Sequence, residues 1–121
     1  VSLIFDPANF VQCGEKTYPE GLAKLKKHVK YMHVKDAKYE NGQVMPAGYG
    51  DANVPAIIKE LYDDGFAGFL SLEPHLAKFE GFAELEPHNP LNDLPPGGPK
   101  SYRIAAEALF NVLKKLGIPY C

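Results

Sequence analysis

The sequence has 121 residues, of which 45% are hydrophobic and 23% are charged, and its formal net charge is −2. These values are typical of one globular domain, and the slight acidity argues against a nucleic acid or an anionic membrane surface as a partner. No stretch approaches the roughly 20 apolar residues of a membrane span. Cys13 and Cys121 are too few for a disulfide framework, so we expect reduced thiols and a cytoplasmic location.

The first predicted unit is a strand, a loop and a helix. Residues 1–5 form an apolar run with two β-branched members, which is typical of a strand buried on both faces. Residues 7–18 are predicted to form a loop with at most a helical turn. Pro19 favours the start of a helix that runs to about His28. Since Val1 already lies within the strand, we expect a piece of a longer chain, truncated on its amino-terminal side.

The second predicted unit begins with a strand over residues 29–34. The polar loop after Asp36 is rich in glycine and proline, and the sequence predicts no regular structure there. Asp51 or Asn53 is expected to cap the next helix, whose apolar residues recur at the i, i+3, i+4 spacing of a core-facing stripe. Gly65 is predicted to end that helix in a left-handed conformation.

The third predicted unit is a strand over residues 66–72, a long connection over residues 74–99, and a helix from about Ser101 to Leu116. The order β-α-β-α-β-α, with crossover connections, predicts a parallel sheet. Helices on one side would leave the other sheet face and both edges uncovered. We therefore expect a homo-oligomer that buries the exposed sheet surface.

Each of the three predicted strands ends at a residue that can bind a metal ion. Asp6, His33 and Glu73 follow or end the strands, and the carboxyl ends of parallel strands meet at one edge of a sheet. Taken singly, each residue is more often a cap or a loop anchor. Together, two carboxylates and an imidazole predict a site for a divalent ion such as Mn²⁺, Co²⁺, Mg²⁺ or Zn²⁺. Such an ion could polarise a carbonyl while a carboxylate moves a proton.

Four motifs in order resemble one family. The segments Phe-Asp-Pro-Ala-Asn at 5–9, His-Val-Lys-Asp at 33–36, Gly-Tyr-Gly-Asp at 48–51 and Leu-Glu-Pro-His at 72–75 are similar to those of the xylose isomerase-like TIM-barrel superfamily. The resemblance covers the whole chain but only the carboxyl-terminal three βα units of the (β/α)8 barrel. It implies an α/β fold in which residues 1–121 form a single partial barrel domain.

The resemblance also implies a chemistry. In sugar-acting members the metal is held by a Glu from an earlier strand, then by an Asp, a His and a final Glu. Asp6, His33 and Glu73 match the last three places, and Glu73 would also be an acid/base group. The parent protein would then be a metal-dependent isomerase or epimerase of a sugar or polyol, acting through a metal-bound enediolate. The first Glu is expected before Val1, so we expect this chain alone to be inactive.

Three further residues are candidates for substrate contact. Asn9 stands where many family members have His, and its amide can hydrogen-bond a hydroxyl but is a poor metal ligand. Lys35 could contact a substrate oxygen, or its stem could cover the neighbouring helix. His75 follows a proline at the expected mouth of the site. Asp36 is interpreted as a loop cap rather than a ligand.

Other readings remain open. The endonuclease branch of the superfamily carries Asp-x-His where this sequence has Gly42 and Val44, which argues against DNA repair. An inosose-type dehydratase would use the same first step as the isomerase. A non-catalytic carbohydrate-binding or assembly module with a relict site is the alternative from a different class. An unrelated flavodoxin-like sheet is disfavoured because no glycine-rich phosphate loop follows the first strand.

Overall fold

The computed structural model describes residues 1–74, 79 and 98–121. Within this part, an open three-stranded parallel sheet carries helices on one face. In chain order the elements are β1 (Leu3–Phe5), α1 (Pro7–Gln12), α2 (Leu22–Leu25), β2 (Val29–Val34), β3 (Asp36–Ala37), β4 (Val44–Met45), α3 (Val54–Asp63), β5 (Phe69–Leu72) and α4 (Gly98–Leu116). The predicted α/β class with parallel strands is confirmed. None of the described helices is both long and apolar enough to cross a membrane.

The sheet has the strand order β1-β2-β5, and both pairs of neighbours are parallel. Phe5 pairs with Met32, and Val34 pairs with Leu72. Consecutive units of the chain therefore supply adjacent strands, as is usual for sequential strands. The three carboxyl ends consequently lie side by side at one edge of the sheet.

The first connection is more regular than predicted. Residues 7–12, expected in a loop, form α1, because Asp6 Oδ1 accepts the backbone N–H of Asn9 and Pro7 pre-sets the first turn. The predicted helix up to His28 is instead broken into short pieces. Regular α-helix is confined to α2. A wide turn at 17–21, in which the backbone of Tyr18 is extended, precedes it, and a 3-10 turn at 26–28 follows it.

The second connection contains a hairpin that the sequence did not predict. β3 and β4 pair antiparallel, and Gly42 closes the turn between them by donating its N–H to Lys38 O. The glycine and proline residues that argued against regular structure mostly follow the hairpin. Asn53 does lie at the start of α3, but in a left-handed conformation and without a capping bond from its side chain. Gly65 follows α3 with φ +85°, as predicted.

The third unit differs from the prediction at both boundaries. β5 begins at Phe69 rather than at residue 66, because the N–H of Phe66 still bonds to Leu61 O and so belongs to the end of α3. Helix α4 begins at Gly98, three residues before the predicted start at Ser101, and ends at Leu116 as predicted.

The two faces of the sheet are unlike each other. Phe5, Met32 and Val34 are buried against the helices and form the centre of the core. On the opposite face Ile4 is 61% exposed and Phe69 is 75% exposed. The prediction that helices cover one sheet face only is confirmed for the described residues.

Candidate metal centre

The three predicted metal ligands converge at the carboxyl ends of the strands. Asp6 lies one residue beyond β1, His33 is the penultimate residue of β2, and Glu73 lies one residue beyond β5. Because side chains alternate along a strand, the register that pairs Phe5 with Met32 turns Asp6 and His33 to the same face. One potential ligand atom from each of the three residues lies within 4.8 Å of the other two.

Direct contacts tie this cluster together. His33 Nδ1 lies 3.0 Å from Glu73 Oε2 and 3.5 Å from Asp6 Oδ2. Asp6 is buried, whereas His33 and Glu73 are partly accessible. One nitrogen of the His33 imidazole therefore faces both carboxylates, and solvent can reach the cluster.

The two carboxylate oxygens of Asp6 have different partners. Oδ1 accepts the N–H of Asn9 at 3.2 Å and so caps α1. Oδ2 is buried, accepts no hydrogen bond among the described residues, and faces the cluster. The cap and ligand interpretations of Asp6 are therefore compatible, because each uses a different oxygen.

Lys35 was predicted either to contact a substrate oxygen or to cover the neighbouring helix, and the structure places it within the cluster. Its ammonium lies 3.1 Å from Asp6 Oδ2 and 3.0 Å from Glu73 Oε2, and the residue is only 5% exposed. It bridges the two carboxylates instead of covering the neighbouring helix with its stem. The signal was available, since Lys35 follows His33 by two residues and side chains at i and i+2 share a face.

Tyr31 is a further residue that sequence reasoning missed. Its ring meets the ring of His33 edge-on, with centroids 5.8 Å apart. Tyr31 precedes His33 by two residues on the same face of β2, so its ring packs against the imidazole from the amino-terminal side of the strand. The period of two along the strand would have identified this contact as well.

Asp36 is the loop anchor that was predicted. It is fully buried, and it accepts the N–H groups of Ala37 and Ala52 at 2.9 Å each and that of Gly48 at 3.1 Å. Burial raises the pKa of the Asp36 carboxyl above its ordinary value of 3.8, and the surrounding N–H groups oppose that shift without cancelling it. Asp36 thereby fixes the loop at 48–52 to the chain that follows β2.

In the described part of the chain, Asn9, a predicted substrate contact, is joined to the cluster through its backbone. Asn9 contributes its backbone N–H to Asp6, while its side chain is exposed. His75 lies outside the described residues. Lys35 is therefore the predicted substrate-contact residue that lies within the site in the described part of the chain.

The donor set suits a hard or borderline divalent ion. Two carboxylates and one imidazole match the preferences of Mn²⁺, Mg²⁺, Co²⁺ or Zn²⁺, and such an ion normally needs further ligands from water, substrate or protein. The buried Oδ2 of Asp6 accepts no backbone N–H among the described residues and faces the side-chain nitrogens of His33 and Lys35, which an ion could replace. The residues therefore fit a divalent ion, although the same two carboxylates also hold the ammonium of Lys35.

Comparisons with known proteins bear on this arrangement. A sequence model described as a xylose isomerase-like TIM barrel matches residues 1–109. A crystal structure of a xylose isomerase domain protein from Planctomyces limnophilus has a TM-score of 0.68 and 28% identity, covering 96% of this chain and 39% of that chain.

A second structure, of a xylose isomerase domain protein from Alicyclobacillus acidocaldarius subsp. acidocaldarius, is similar in fold. Its TM-score is 0.50 at 21% identity, covering 96% of this chain and 37% of that chain. No curated protein matches the sequence significantly. This chain thus spans less than half the length of either structure.

Proposed function

Because the chain belongs to the xylose isomerase-like TIM barrel family, we propose that it carries part of the active site of a divalent-metal-dependent isomerase or epimerase. The substrate would be a sugar or a related polyol. The observation that carries the proposal is the convergence of Asp6, His33 and Glu73 at adjacent strand ends. Active sites of (β/α)8 enzymes are built at that end of the strands.

The three residues would hold the ion through two carboxylates and one imidazole. A bound divalent ion polarises a carbonyl and stabilises negative charge on neighbouring oxygens. Tyr31 supports the ring of His33 by its edge-on contact, and the capping bond to Asn9 holds Asp6 in place. Both contacts reduce the movement of the ligands, and correct positioning of ligands is what a catalytic site requires.

Glu73 is the residue proposed to move the proton. Its carboxylate would accept a proton from the carbon next to a sugar carbonyl, and the electron pair of that C–H bond would move into the carbonyl to give an enediolate. Return of that proton to the former carbonyl carbon, together with transfer of the hydroxyl proton on the original carbon to the former carbonyl oxygen, would complete an isomerisation. Protonation of the original carbon on its opposite face would complete an epimerisation, and the proton would come from a second acid, the Glu expected from an earlier strand.

Metal binding tests this proposal. We expect Mn²⁺ to bind this chain in isothermal calorimetry, and we expect the double variant His33→Ala, Glu73→Ala to abolish the binding heat. A matched control, His28→Ala with Glu20→Ala, changes the same residue types outside the cluster and should leave binding unaltered. Equal titrations for the two double variants would favour a non-catalytic module with a relict site.

We also propose that this chain associates with a second copy through the open sheet face. The parallel register places Ile4, Tyr31 and Phe69 in one row, and two of these side chains are largely exposed. Burial of such an apolar row is favourable in water. Sedimentation velocity should detect a dimer or larger species, and Ile4→Ser with Phe69→Ser should shift it towards the monomer. A monomeric wild-type chain would contradict this proposal.

A further inference from the structure

The position of Lys35 leads to an inference about how an ion enters the site. We propose that the Lys35 ammonium competes with the divalent ion for Asp6 and Glu73, so that metal binding displaces Lys35 from these two carboxylates. This inference rests on the proposed metal site. It adds a displaceable internal cation that neither the family match nor the donor set assigns.

The competition follows from the oxygens that are shared. Lys35 Nζ lies 3.1 Å from Asp6 Oδ2 and 3.0 Å from Glu73 Oε2. Asp6 cannot offer its other oxygen freely, because Oδ1 caps α1. An ion that binds Asp6 at about 2.0–2.2 Å must therefore use the oxygen that the ammonium faces.

The two cations cannot share these oxygens at low cost. An ammonium and a divalent ion within a few ångströms of the same two oxygens repel each other, and the low exposure of Lys35 weakens solvent screening. His33 offers an imidazole nitrogen as a further ligand atom, so the ion has one ligand that Lys35 does not occupy. The ion would therefore gain a ligand at His33 and take over two carboxylates from Lys35.

Lys35 is also the kind of residue that can leave. Its four-carbon stem carries a compact charge with three donors, and it can reorient without moving the strand. It lies one residue beyond the end of β2. The displaced ammonium would then be available to a substrate oxygen, which links the predicted substrate role of Lys35 to the metal-bound state.

Affinity measurements provide the first test. We expect Lys35→Met to bind Mn²⁺ at least tenfold more tightly than the wild type in calorimetry, because the competing cation is gone. Lys35→Arg should bind no more tightly than the wild type, since it keeps the positive charge. Lys38→Met is the matched control, because it removes a nearby charge that pairs with Asp51 outside the cluster, and it should change affinity less than twofold.

A second measurement uses the wild-type chain and so does not depend on a variant that folds. Reductive dimethylation followed by mass spectrometry reports the accessibility of each lysine. We expect saturating Zn²⁺ to accelerate labelling of Lys35 severalfold while labelling of Lys27, an exposed lysine, stays constant. Labelling of Lys35 that is unchanged or slower in the presence of bound Zn²⁺ would overturn the inference.

The outcomes separate this inference from the proposed function. Metal binding by the wild type with equal or weaker binding by Lys35→Met overturns the competition and leaves the metal site standing. If Lys35→Met binds Mn²⁺ and the wild type does not, Lys35 excludes the ion completely, and the competition is supported. An absence of binding in both proteins overturns the metal site and the competition together.

Discussion

Two buried aspartates lie near the same edge of the sheet, and their surroundings give them different roles. Asp36 is enclosed by backbone N–H groups, which use both of its oxygens. Asp6 uses one oxygen to cap a helix and turns the other towards His33 and Lys35. Both follow a predicted strand closely in sequence, yet one carboxylate organises a loop and the other faces a site.

The difference shows what decides whether a buried carboxylate is structural. When fixed backbone N–H groups already bond to both oxygens of a carboxylate, its lone pairs are not readily available to an ion or a substrate. A carboxylate whose partners are side-chain cations can exchange them, because lysine and histidine side chains move without disturbing the backbone. We therefore expect variants of Asp36 to affect mainly stability and variants of Asp6 to affect mainly metal binding.

Replacement of Asp36 should have the largest effect on the fold. Asp36→Ala leaves several buried N–H groups without an acceptor, so we expect the free energy of unfolding to fall by about 3–5 kcal/mol. Urea denaturation followed by circular dichroism measures this loss. A loss below about 1 kcal/mol would show that water replaces the carboxylate in the loop.

Gly50 should be nearly as sensitive, because it packs against the same carboxylate. A Cβ at this position would overlap the Asp36 carboxylate and lie 2.7 Å from Ala37 N. We expect Gly50→Ala to cost about 3 kcal/mol, at the upper end for overpacking, because neither neighbour can move away. Gly14→Ala is the control: it meets no atom within 4 Å, and its positive φ should cost only about 1 kcal/mol. Equal urea midpoints for the two variants would contradict the close packing around Asp36.

Asp6→Asn should give the opposite profile. Asn is as good a helix cap as Asp, so the bond to the Asn9 N–H survives and the loss of stability should stay near about 1 kcal/mol. The amide is a weak ligand, and we expect Mn²⁺ affinity to fall about 100-fold, which corresponds to about 2.7 kcal/mol. Calorimetry and urea denaturation on the same protein give both numbers. A variant that loses stability but keeps Mn²⁺ affinity would reverse the roles of the two aspartates.

The sequence predicted the parts of this comparison that depend on position along strands. The ends of the three parallel strands, and hence the cluster of Asp6, His33 and Glu73, follow from apolar runs and chain order alone. The left-handed Gly65 follows from its place after an apolar helix stripe. The strands and the helix end are encoded by local sequence, and the order of the units along the chain then determines which strands are neighbours.

The features that were missed are short. α1 has only six residues and the strands of the β3–β4 hairpin have two residues each, which is too short for a periodic pattern to be recognised. The Asp6 cap and Pro7 are local signals for α1, and the bond from Gln12 Nε2 to Gly42 O adds a tertiary contact between α1 and the hairpin turn. The place of Lys35 could be predicted, because the alternation of side chains along β2 puts it on the face of His33.

The smallest expected effect is on the pH dependence of stability, and it concerns Asp36. Burial raises the pKa of Asp36 in the folded chain above its ordinary value of 3.8, while the unfolded chain keeps that ordinary value. As the pH rises from below 3.8, the unfolded chain releases this proton first. The contribution of Asp36 to stability is therefore full at low pH and declines until the pH passes the folded pKa.

Comparison with an isosteric variant isolates this contribution. Asp36→Asn cannot ionise, so the difference in unfolding free energy between wild type and Asp36→Asn should decrease as the pH rises from about 3.8 to neutrality. Urea titrations at half-unit pH steps measure the difference, and the ionisations of all other groups cancel to first order. A difference that grows with pH would mean that the backbone donors stabilise the charged form more than burial penalises it. Asp36 would then be an anion that the N–H groups of the loop at 48–52 stabilise more than its burial penalises.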